Sequence, residues 1–552
     1  MITRSRLYFH RRSDSRQSSP RDLSAFTAFG QLPSRITPFV GRHSAIEFLR
    51  NQIEQAAQPR IVISGKAGIG KSAIAIEVAH RYFESHYYAN FRGSDLEPLD
   101  PAIVLGRWLR ANRVDAIPDQ LAARLQRFQL LSQNATLLIL DDVQTETQIK
   151  PFLELNCAVL ITSRRAFSIK GSINLELSEL EESLTLLRQQ IGFAAVAAEP
   201  EASDQIVQHC DRVPLAIALA SGVINQTIPL KEFETQLSNR KASRSTSTRL
   251  VFELSYQTLD STASRLLRLL SLLVESQFTP TLAATLLESS EATTIGAINQ
   301  LVALKFVTAT DAPYYRFTHD LIRLYARQQL SIEETIEQRQ AARLLICRWY
   351  LKQIESIELT DQSVHWFEAE RLNLLAAIEW AEQAQAWDIV AQLVGSIAEF
   401  LDQCGDRAHG RTILRSAIAA AKQLNDPFQE AAALNNLGNF ELRQQQWQQA
   451  RSYYEQSLEI FNRSNDAVYQ AKTRINLGVL EALQHQFTTA ALQWKMALEL
   501  LRDSPEKIAV QRSMQAIDID LLTAAGGTIS DNPPASGFFQ TFTQKLKRFI
   551  LE

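Results

Sequence analysis

The sequence predicts a multidomain protein in which an α/β domain with a mostly parallel sheet is followed by a long helical region. Three observations predict it. The chain has 552 residues, whereas single domains usually hold about 100–200. Short β-rich apolar runs alternate with helical stretches between residues 33 and 165, as in α/β domains. From about residue 175 to residue 515, helical periodicity dominates.

Composition indicates an ordinary globular protein rather than a highly charged or membrane-spanning one. Apolar residues make up 45%, charged residues 21%, and the net charge is −3, so nothing in the charge requires nucleic acid or an anionic membrane. The longest apolar runs, such as 266–274, stop short of the roughly 20 residues that cross a bilayer, and no signal peptide is recognised. The four cysteines are far apart in sequence, which favours a reducing, cytoplasmic setting.

The first 30 residues are expected to be a disordered basic tail. They carry six arginines among serines, without apolar periodicity: Arg4, Arg6, Arg11, Arg12, Arg16 and Arg21. Such a composition buries too little apolar surface to fold. A solvated leader is the simplest interpretation, and a nucleic-acid arm, a partner arm or a targeting segment are the alternatives.

Four apolar runs are predicted to form the strands of the α/β domain: Arg60–Ser64, Tyr87–Phe91, Thr136–Leu140 and Ala158–Thr162. Their length and β-branched content are typical of buried parallel strands. A further short hairpin is predicted around Phe306–Phe317, with Pro313 in its turn.

The C-terminal helical region contains an internal repeat of 40 residues. Asn436-Leu437-Gly438 recurs as Asn476-Leu477-Gly478, Ala450 matches Ala490, and aromatic side chains recur at the matching positions, as Trp447 with Phe487 and Tyr454 with Trp494. One repeat earlier the pattern continues weakly, at Ile397, Gly410, Leu414 and Ile418. Small residues where helices cross, with aromatics between them, predict tetratricopeptide-like hairpins stacked in a short α-solenoid. The aromatic positions, including Tyr453, are interpreted as repeat core.

A phosphate-binding loop is the strongest chemical motif in the sequence. Between the strand at residue 60 and a helical stretch stands the run Gly65-Lys66-Ala67-Gly68-Ile69-Gly70-Lys71-Ser72, followed by Ala73. Glycines let successive backbone N–H groups point inward, and the positive end of the next helix favours phosphate. Lys71 is predicted to reach the β- and γ-phosphates and Ser72 to ligate Mg²⁺.

Polar residues at the ends of two later strands are candidates for the same site. Asp141 and Asp142 end the strand that begins at Thr136, and we assign Asp141 to the metal and Asp142 to the attacking water. Arg164 follows the strand at Ala158, where a guanidinium can contact the γ-phosphate in a bidentate manner.

Taken in order, these motifs resemble a known family. The motifs are Phe39-Val40-Gly41-Arg42, GKAGIGKS, LILDDV, LITSRR, Val213-Pro214-Leu215-Ala216 and Thr318-His319-Asp320. Their series over residues 32–330 resembles the NB-ARC subset of the STAND P-loop ATPases, and the repeats extend the resemblance to bacterial regulators with tetratricopeptide tails.

That resemblance implies a module that closes over ADP at rest and opens when ATP replaces it. By this resemblance Val40, Gly41 and Arg42 line the adenine and ribose, and Pro214 packs on the adenine. His319 contacts the ADP β-phosphate, and Arg164 is the sensor. Four matched residues differ from the usual family pattern: His43, Arg212, Val213 and Thr318.

The predicted domains follow from the motifs and the resemblance. They are a basic tail (1–30), a P-loop nucleotide-binding domain (31–170), a helical bundle (171–245), a winged helix (246–330), a helical linker (331–390), tetratricopeptide-like repeats (391–515), and a linker with an amphipathic C-terminal helix (516–552). The last helix is expected to cap the repeats, with a partner or membrane surface as the alternative. In the winged helix, arginines interspersed with leucines favour an internal role over DNA binding.

The sequence therefore predicts a nucleotide-dependent switch that binds ADP or ATP with Mg²⁺. We expect slow hydrolysis, a ligand or partner protein at the repeats, and nucleotide-dependent homo-oligomerisation. Two alternatives remain. One is a DNA-binding transcriptional regulator, and the other is a tetratricopeptide scaffold with a vestigial nucleotide site. The complete set of phosphate and Mg²⁺ groups argues against the second.

Overall fold

A computed structural model describes residues 32, 33 and 35–501 except 57, 94–97, 113, 115–116, 119, 133–135, 170–171, 177–178, 241–246, 276, 311–312, 358–360 and 404–406. The predicted basic tail, the C-terminal helix and Cys404 lie outside the described residues. The chain divides into two compact units. One unit includes residues 32–349 and 358–373, and the other includes residues 350–357 and 374–501.

A five-stranded parallel sheet forms the centre of the first unit. Its strands are β1 (Arg60–Ser64), β2 (Ser85–Asn90), β3 (Thr136–Val143), β4 (Ala158–Ser163) and β5 (Ile173–Asn174), in the order β2-β3-β4-β1-β5. All four predicted strands are present, with β2 two residues earlier at its start than expected. Since β1 lies beside β4, which follows β3 along the chain, the carboxyl ends of β1, β3 and β4 meet at one edge.

Helices cover both faces of this sheet because alternate strand residues are apolar on each side. Ile61 and Ile63 pack in one buried cluster with Ile74, whereas Val62 and Leu138 pack in the other. The helices of this region are α1 (His43–Gln55), α2 (Lys71–Tyr82), α3 (Pro101–Ala111), α4 (Leu121–Leu131) and α5 (Glu146–Ile149), with a 3-10 helix at Lys150–Glu154. The predicted α/β fold class is confirmed.

Among the described residues, ten helices lie between the sheet and residue 334, the last five together with three short strands. The first group is α6 (Leu180–Ile191), α7 (Phe193–Ala198), α8 (Pro200–His209), α9 (Pro214–Gln226) and α10 (Leu230–Arg240). The second is α11 (Ser247–Gln257), α12 (Ser261–Leu270), β6 (Gln277–Phe278), α13 (Pro280–Leu287), α14 (Glu291–Ala303), β7 (Val307–Ala309), β8 (Tyr315–Phe317) and α15 (Asp320–Glu333). Strands β7 and β8 pair antiparallel as the predicted hairpin, and β6, which the sequence did not indicate, pairs with β8.

Two arginines of the second group, Arg268 and Arg323, are buried, whereas Arg265 and Arg327 are exposed. The Arg268 guanidinium donates to carboxylate oxygens of Glu333 and Glu334 at 2.7 Å. Arg323 donates to the carbonyl of Val274 at 2.9 Å, and Arg327 donates to the carbonyl of Leu272 at 3.4 Å. The contacts of Arg268 and Arg323 help to hold α12 and α15 together, which agrees with the internal role predicted for these two arginines.

The second unit contains three helical hairpins with the predicted spacing of 40 residues. After α16 (Ile336–Ser356) and α17 (Asp361–Gln383), the hairpins are α18 (Trp387–Gln403) with α19 (Arg407–Gln423), α20 (Pro427–Arg443) with α21 (Trp447–Arg463), and α22 (Ala467–Leu483) with α23 (Phe487–Leu500). The first helix of each later hairpin begins 40 residues after the first helix of the preceding hairpin. The fully buried Tyr454 and Trp494 confirm that these aromatics are core residues.

A glycine permits the closest helix approach in the repeats. A Cβ atom added at Gly478 would lie 2.2 Å from the indole nitrogen of Trp494, and one at Gly438 would lie 2.5 Å from the Tyr454 ring. No real side chain tolerates such contacts, so glycine lets an aromatic ring fill the space between the two helices. This is the physical basis of the repeated Asn-Leu-Gly.

Ion pairs also recur with the 40-residue spacing. Arg411 on α19 donates to both carboxylate oxygens of Glu441 on α20, at 2.7 and 2.8 Å. One repeat later Arg451 on α21 pairs with Glu481 on α22, whose side chain is only 2% exposed. The next equivalent position is Ala491, so this ladder links the hairpins in only two places within the described repeats.

Two expectations from composition can be compared with the described residues. Among them, no helix combines the length and hydropathy needed to cross a membrane. Cys157, Cys210 and Cys347 are buried free thiols, and burial raises the pKa of Cys157 to about 11. The described cysteines therefore form no disulfide framework, as predicted.

Candidate functional site

The glycine-rich loop lies between β1 and α2, where the sequence places it. Gly70 has φ of +101° and an added Cβ would meet nothing within 4 Å, so its backbone conformation, not crowding, requires glycine. Within the described part of the chain, the backbone N–H groups of residues 66–73 donate no hydrogen bond to another protein group. A run of unpaired amides at a helix N-terminus is a ready acceptor site for phosphate oxygens.

Lys71 is buried at the start of α2, with 8% of its surface exposed. Its ammonium donates to the carbonyls of Gly65 and Lys66 at 2.9 and 2.8 Å. Burial, followed by repulsion from Arg164, lowers the pKa of Lys71. A partly desolvated ammonium held over the loop gains from an anionic neighbour, as phosphate would provide.

Asp141 is the most deeply embedded acidic residue of the site, with 4% of its surface exposed. Three hydroxyl groups donate to its carboxylate: Ser72 at 2.7 Å, Tyr88 at 2.8 Å, and Thr162. Burial and the neighbouring carboxylate raise the pKa of Tyr88 well above its ordinary value, so Tyr88 is a donor at neutral pH. These contacts fix the two residues predicted to hold Mg²⁺, Ser72 and Asp141, next to each other.

Asp142 lies one residue further on, in a left-handed backbone conformation with φ of +47°. Its amide donates to the Thr162 hydroxyl at 3.0 Å, and its carboxylate lies 3.8 Å from the Arg164 Nε. The register between β3 and β4 shifts between Leu140 and Val143. The Asp141 carboxylate contacts the Ser72 hydroxyl, whereas the Asp142 carboxylate is near Arg164, so the two neighbouring acidic residues have different partners.

Arg42 connects the start of α1 to the loop and to α6. Its guanidinium donates to the carbonyl of Ile69 at 3.0 Å and to that of Glu176 at 2.8 Å. Its backbone N–H donates to a carboxylate oxygen of Glu182 at 2.9 Å. Gly41 and Val40, directly before it, are half-buried. The predicted Val-Gly-Arg group therefore lies against the side of the P-loop.

The start of α9 approaches the loop from the following helical group. A Cβ atom added at Gly68 would lie 3.2 Å from both Leu215 Cβ and Val213 Cγ1, and Pro214 stands between those two residues as the first residue of α9. A cavity of about 370 Å³ is lined by Leu180, Gln208, Asp211 and Arg212. It adjoins the first residues of α6 and those just before α9.

His319 brings a third segment to the same place. It caps α15, because its Nδ1 accepts the backbone N–H of Leu321 at 3.0 Å. Burial, together with the positive charges of Arg164 and Lys71, lowers the pKa of His319 to about 4, and the carboxylate of Asp142 opposes this shift. The imidazole is thus neutral at pH 7. With Nδ1 acting as an acceptor, its proton is on Nε2.

The residues present fit a nucleotide with Mg²⁺. The unpaired amides of residues 66–73 and the ammonium of Lys71 suit phosphate, and the oxygens of Ser72 and Asp141 are hard ligands of the kind Mg²⁺ prefers. Among the described residues, no group of three or more acidic, histidine or cysteine side chains is placed to hold a metal by itself. Mg²⁺ usually completes its octahedron with water and substrate phosphates, which two protein ligands allow.

Three residues of the site were not predicted as site residues, although Thr162 lies within the LITSRR motif. Tyr88 and Thr162 hold Asp141, and Glu182 holds Arg42. Thr162 lies near the end of β4, two residues before the predicted sensor Arg164. Aligning the predicted strands by their carboxyl ends could therefore have placed Thr162 near Asp141. Tyr88 and Glu182 become recognisable only when β2 and α6 are placed in space.

The fold and the loop together define a class of protein: a P-loop nucleotide-binding domain on a parallel sheet, in a chain that also carries helical hairpins. Residues 429–503 match the family model for the tetratricopeptide repeat. The chain is 29% identical over 325 residues to the regulatory protein AfsR of Streptomyces coelicolor and 30% identical over 320 residues to AfsR of Streptomyces griseus. Each match covers 54% of this chain and 33% of the relative, so the chain spans about a third of the length of these relatives.

Solved structures that this chain is similar to include proteins of two Pyrococcus species. One is a Signal Transduction ATPase with Numerous Domains (STAND) protein with a tetratricopeptide repeat sensor from Pyrococcus horikoshii, at 16% identity and a TM-score of 0.40, covering 94% of this chain and 90% of that one. The other is a Walker-type ATPase of Pyrococcus abyssi, at 10% identity and a TM-score of 0.28, covering 55% of this chain and 99% of that one. Superpositions at these values do not define a shared domain arrangement.

The repeat match confirms the predicted tetratricopeptide-like repeats, and the relatives are regulatory proteins, as the resemblance implied. The STAND assignment of the whole module stays a prediction. The finer NB-ARC assignment, with its winged helix, stays a prediction.

Proposed function

We propose that this chain is a nucleotide-dependent conformational switch that holds ADP at rest. Replacement of ADP by ATP opens the module, allows homo-oligomerisation and passes a signal from the repeats to partner proteins. The observation that carries the proposal is the convergence of separate segments on one loop. Arg42, the start of α9 and His319 all approach the glycine-rich loop from different parts of the chain.

Convergence on the loop matters because a ligand held by several segments couples their positions. Groups that meet only through a bound nucleotide come apart or close together when its γ-phosphate is added or lost. In this proposal Lys71 and the amides of residues 66–73 hold the phosphates, and Pro214 packs on the adenine. The cavity lined by Leu180 and Arg212 is the candidate place for the base.

His319 is the proposed closed-state latch. A neutral imidazole with its proton on Nε2 donates a hydrogen bond to the β-phosphate without adding a third positive charge beside Lys71 and Arg164. The order of α11 to α15 with β6 to β8, in which two antiparallel strands follow the third and fourth helices, supports the proposed winged helix around it.

Hydrolysis, in this proposal, is slow and uses few groups. Mg²⁺, held by Ser72 and Asp141, supplies charge compensation for the phosphates. Asp142 orients the attacking water, and Arg164 contacts the γ-phosphate. The 3.8 Å approach of Arg164 to Asp142 leaves the guanidinium with an alternative partner when no γ-phosphate is present. An arginine that can contact either Asp142 or the γ-phosphate suits a sensor, because its position then depends on whether the γ-phosphate is present.

Nucleotide retention is the first test. Protein purified without added nucleotide is denatured, and the released bases are identified by chromatography; we expect ADP in near-stoichiometric amount. Lys71→Ala should lose it, whereas Lys66→Ala, which removes an exposed lysine of the same loop, should keep it. Retention of ADP by Lys71→Ala at the wild-type level would contradict the proposal.

Assembly is the second test. Size-exclusion chromatography of the chain with ADP and with a slowly hydrolysed ATP analogue should give different elution volumes. If both nucleotides bind but the elution volumes are equal, the proposed switch is refuted, while the proposed nucleotide site stands. A DNA-binding regulator is the main alternative. Arg268 and Arg323 of α12 and α15 are buried and bonded within the protein, so they do not support it, while Arg265 and Arg327 are exposed.

A further inference from the structure

A cavity in the helical repeats lies where the neighbouring repeat has three aromatic rings. The cavity, of about 190 Å³, lies between α18, α19 and α20, and its lining includes Asp388, Ala421 and Gln429. Adding 40 to each number gives Phe428, Phe461 and Tyr469. The chain therefore contains a filled and an unfilled version of one site.

The filled version shows how the site is built. Phe428, Phe461 and Tyr469 contact one another, with ring centroids 4.7–5.8 Å apart. The Lys472 ammonium lies 4.3 Å from the centroid of the Tyr469 ring, a cation–π geometry. Rings and an ammonium group thus occupy this place in the second and third hairpins.

Around the cavity, some residues match those of the neighbouring repeat, whereas the aromatic rings have no counterpart. Ala391 and Asp426, which line the cavity, match Ala431 and Asp466, and both aspartates cap their helices by accepting a backbone N–H. The three ring positions are Asp, Ala and Gln, and the lysine position is Ala432. The alanine and the capping aspartate are therefore kept, whereas the rings and the cation are missing; Gln392, Ala417 and Leu424 of the lining also differ, as Ala432, Ser457 and Ser464 one repeat later.

The dimensions and charge indicate what would fit. A buried apolar cavity of about 150 Å³ is large enough to bind benzene, so the 190 Å³ here holds one ring with a short substituent. Asp388 lies at the exposed rim, and within the described residues its carboxylate has no ion-pair or hydrogen-bond partner. The nearby Lys422 ammonium is paired with Glu430 at 3.6 Å, which leaves a net negative rim.

We propose that this cavity binds a small molecule made of an aromatic ring and a short aliphatic amine. The ring replaces the missing aromatic side chains, and the ammonium pairs with Asp388. This inference deepens the proposed function by naming the class of ligand that the repeats sense. Its consequence for signalling rests on that function, while the binding itself does not.

Binding is tested on the full chain with phenethylamine as the probe, using ligand-observed NMR and calorimetry. Two further probes separate the contributions: 2-phenylethanol keeps the ring and lacks the charge, and propylamine keeps the charge and lacks the ring. We expect phenethylamine to bind best and propylamine to show no saturable binding. Equal affinity for phenethylamine and propylamine would overturn the proposal.

Two cavity-filling variants locate the site. Ala421→Phe installs the residue that the chain has at position 461, and we expect at least a tenfold loss of phenethylamine affinity. Gln429→Tyr fills the cavity from the opposite side at a half-buried position and serves if Ala421→Phe fails to fold, as judged by circular dichroism. The matched control, Gln423→Phe, adds the same ring at an exposed position of α19 outside the lining and should bind normally. Unchanged affinity in a folded filling variant would overturn the assignment.

Charge and signalling are separated by two last measurements. Asp388→Asn should weaken phenethylamine about threefold, as expected for a rim ion pair, and leave 2-phenylethanol unchanged; equal effects on both would refute the pairing. The rate of ADP release is measured with and without phenethylamine. If phenethylamine binds but ADP release does not change, the ligand site stands and its sensing role is refuted. If the purified chain holds no nucleotide, the switch is refuted, and the ligand site is unaffected. Binding of a peptide with an N-terminal phenylalanine, but not of phenethylamine, would overturn the proposal in favour of a protein partner.

Discussion

The substitution His319→Asn tests whether His319 is buried beside the positive charges of Arg164 and Lys71. Asparagine is a strong N-cap residue, so it retains the hydrogen bond that His319 provides at the start of α15 and removes the titrating ring. Because the pKa of His319 is lowered in the folded chain, protonation favours the unfolded or opened form. Its contribution to stability is present above about pH 6.5 and is lost as the pH falls toward 4.

The size of the effect follows from the two pKa values. With the ordinary value of 6.5 in the opened form and about 4 in the folded form, lowering the pH from about 7.5 to about 5 costs about 2 kcal/mol by proton linkage. The side chain is partly accessible to solvent, and screening reduces this figure to about 1–2 kcal/mol.

The assay compares urea unfolding of the wild type and His319→Asn at both pH values. Other groups titrate equally in the two proteins, so their contributions cancel in the difference. We expect the wild type to lose about 1–2 kcal/mol more than the variant on acidification. In Arg164→Gln, which removes one neighbouring positive charge, the loss should be smaller. Equal pH dependence of wild type and His319→Asn would refute the proximity of His319 to Lys71 and Arg164.

Three other outcomes are expected. Gly70→Ala should destabilise the chain by about 1–2 kcal/mol in thermal unfolding, because φ of Gly70 is +101°. The control Gly296→Ala is equally uncrowded but lies inside helix α14, so it should stabilise the chain by about 0.5–1 kcal/mol. Destabilisation by both substitutions would contradict the conformational reason. Asp141→Asn should slow Mg²⁺-dependent phosphate release by more than about tenfold, measured with a coupled phosphate assay, and wild-type rates would exclude Asp141 as a metal ligand. Arg451→Leu should lower the free energy of unfolding in urea by about 2–3 kcal/mol, because it leaves the buried Glu481 carboxylate unpaired. The double variant Arg451→Leu with Glu481→Leu should recover part of that loss. A double variant no more stable than the single one would refute the ion-pair reason.

Local sequence patterns predicted the elements of this protein well. The runs at β1, β3 and β4 were recognised because strands buried on both faces must be continuously apolar, and the loop at Gly65–Ser72 because phosphate binding needs glycines at fixed positions. The 40-residue repeat was visible because each hairpin meets the same packing demand. By contrast, the two-residue strand β6 carries too few residues for any pattern, and only its pairing with β8 identifies it.

Contacts between distant elements were beyond the reach of those patterns. The hydroxyl of Tyr88 on Asp141, the carboxylate of Glu182 on the Arg42 amide, and the ring-sized cavity beside Ala421 each depend on how elements pack. By itself, the sequence determined the strand–loop–helix that receives phosphate and the repeat that forms the hairpins, since both depend on residues close together in the chain. Only the tertiary structure decided which side chains surround that loop and which repeat is left unfilled, because those follow from distances between segments far apart in sequence.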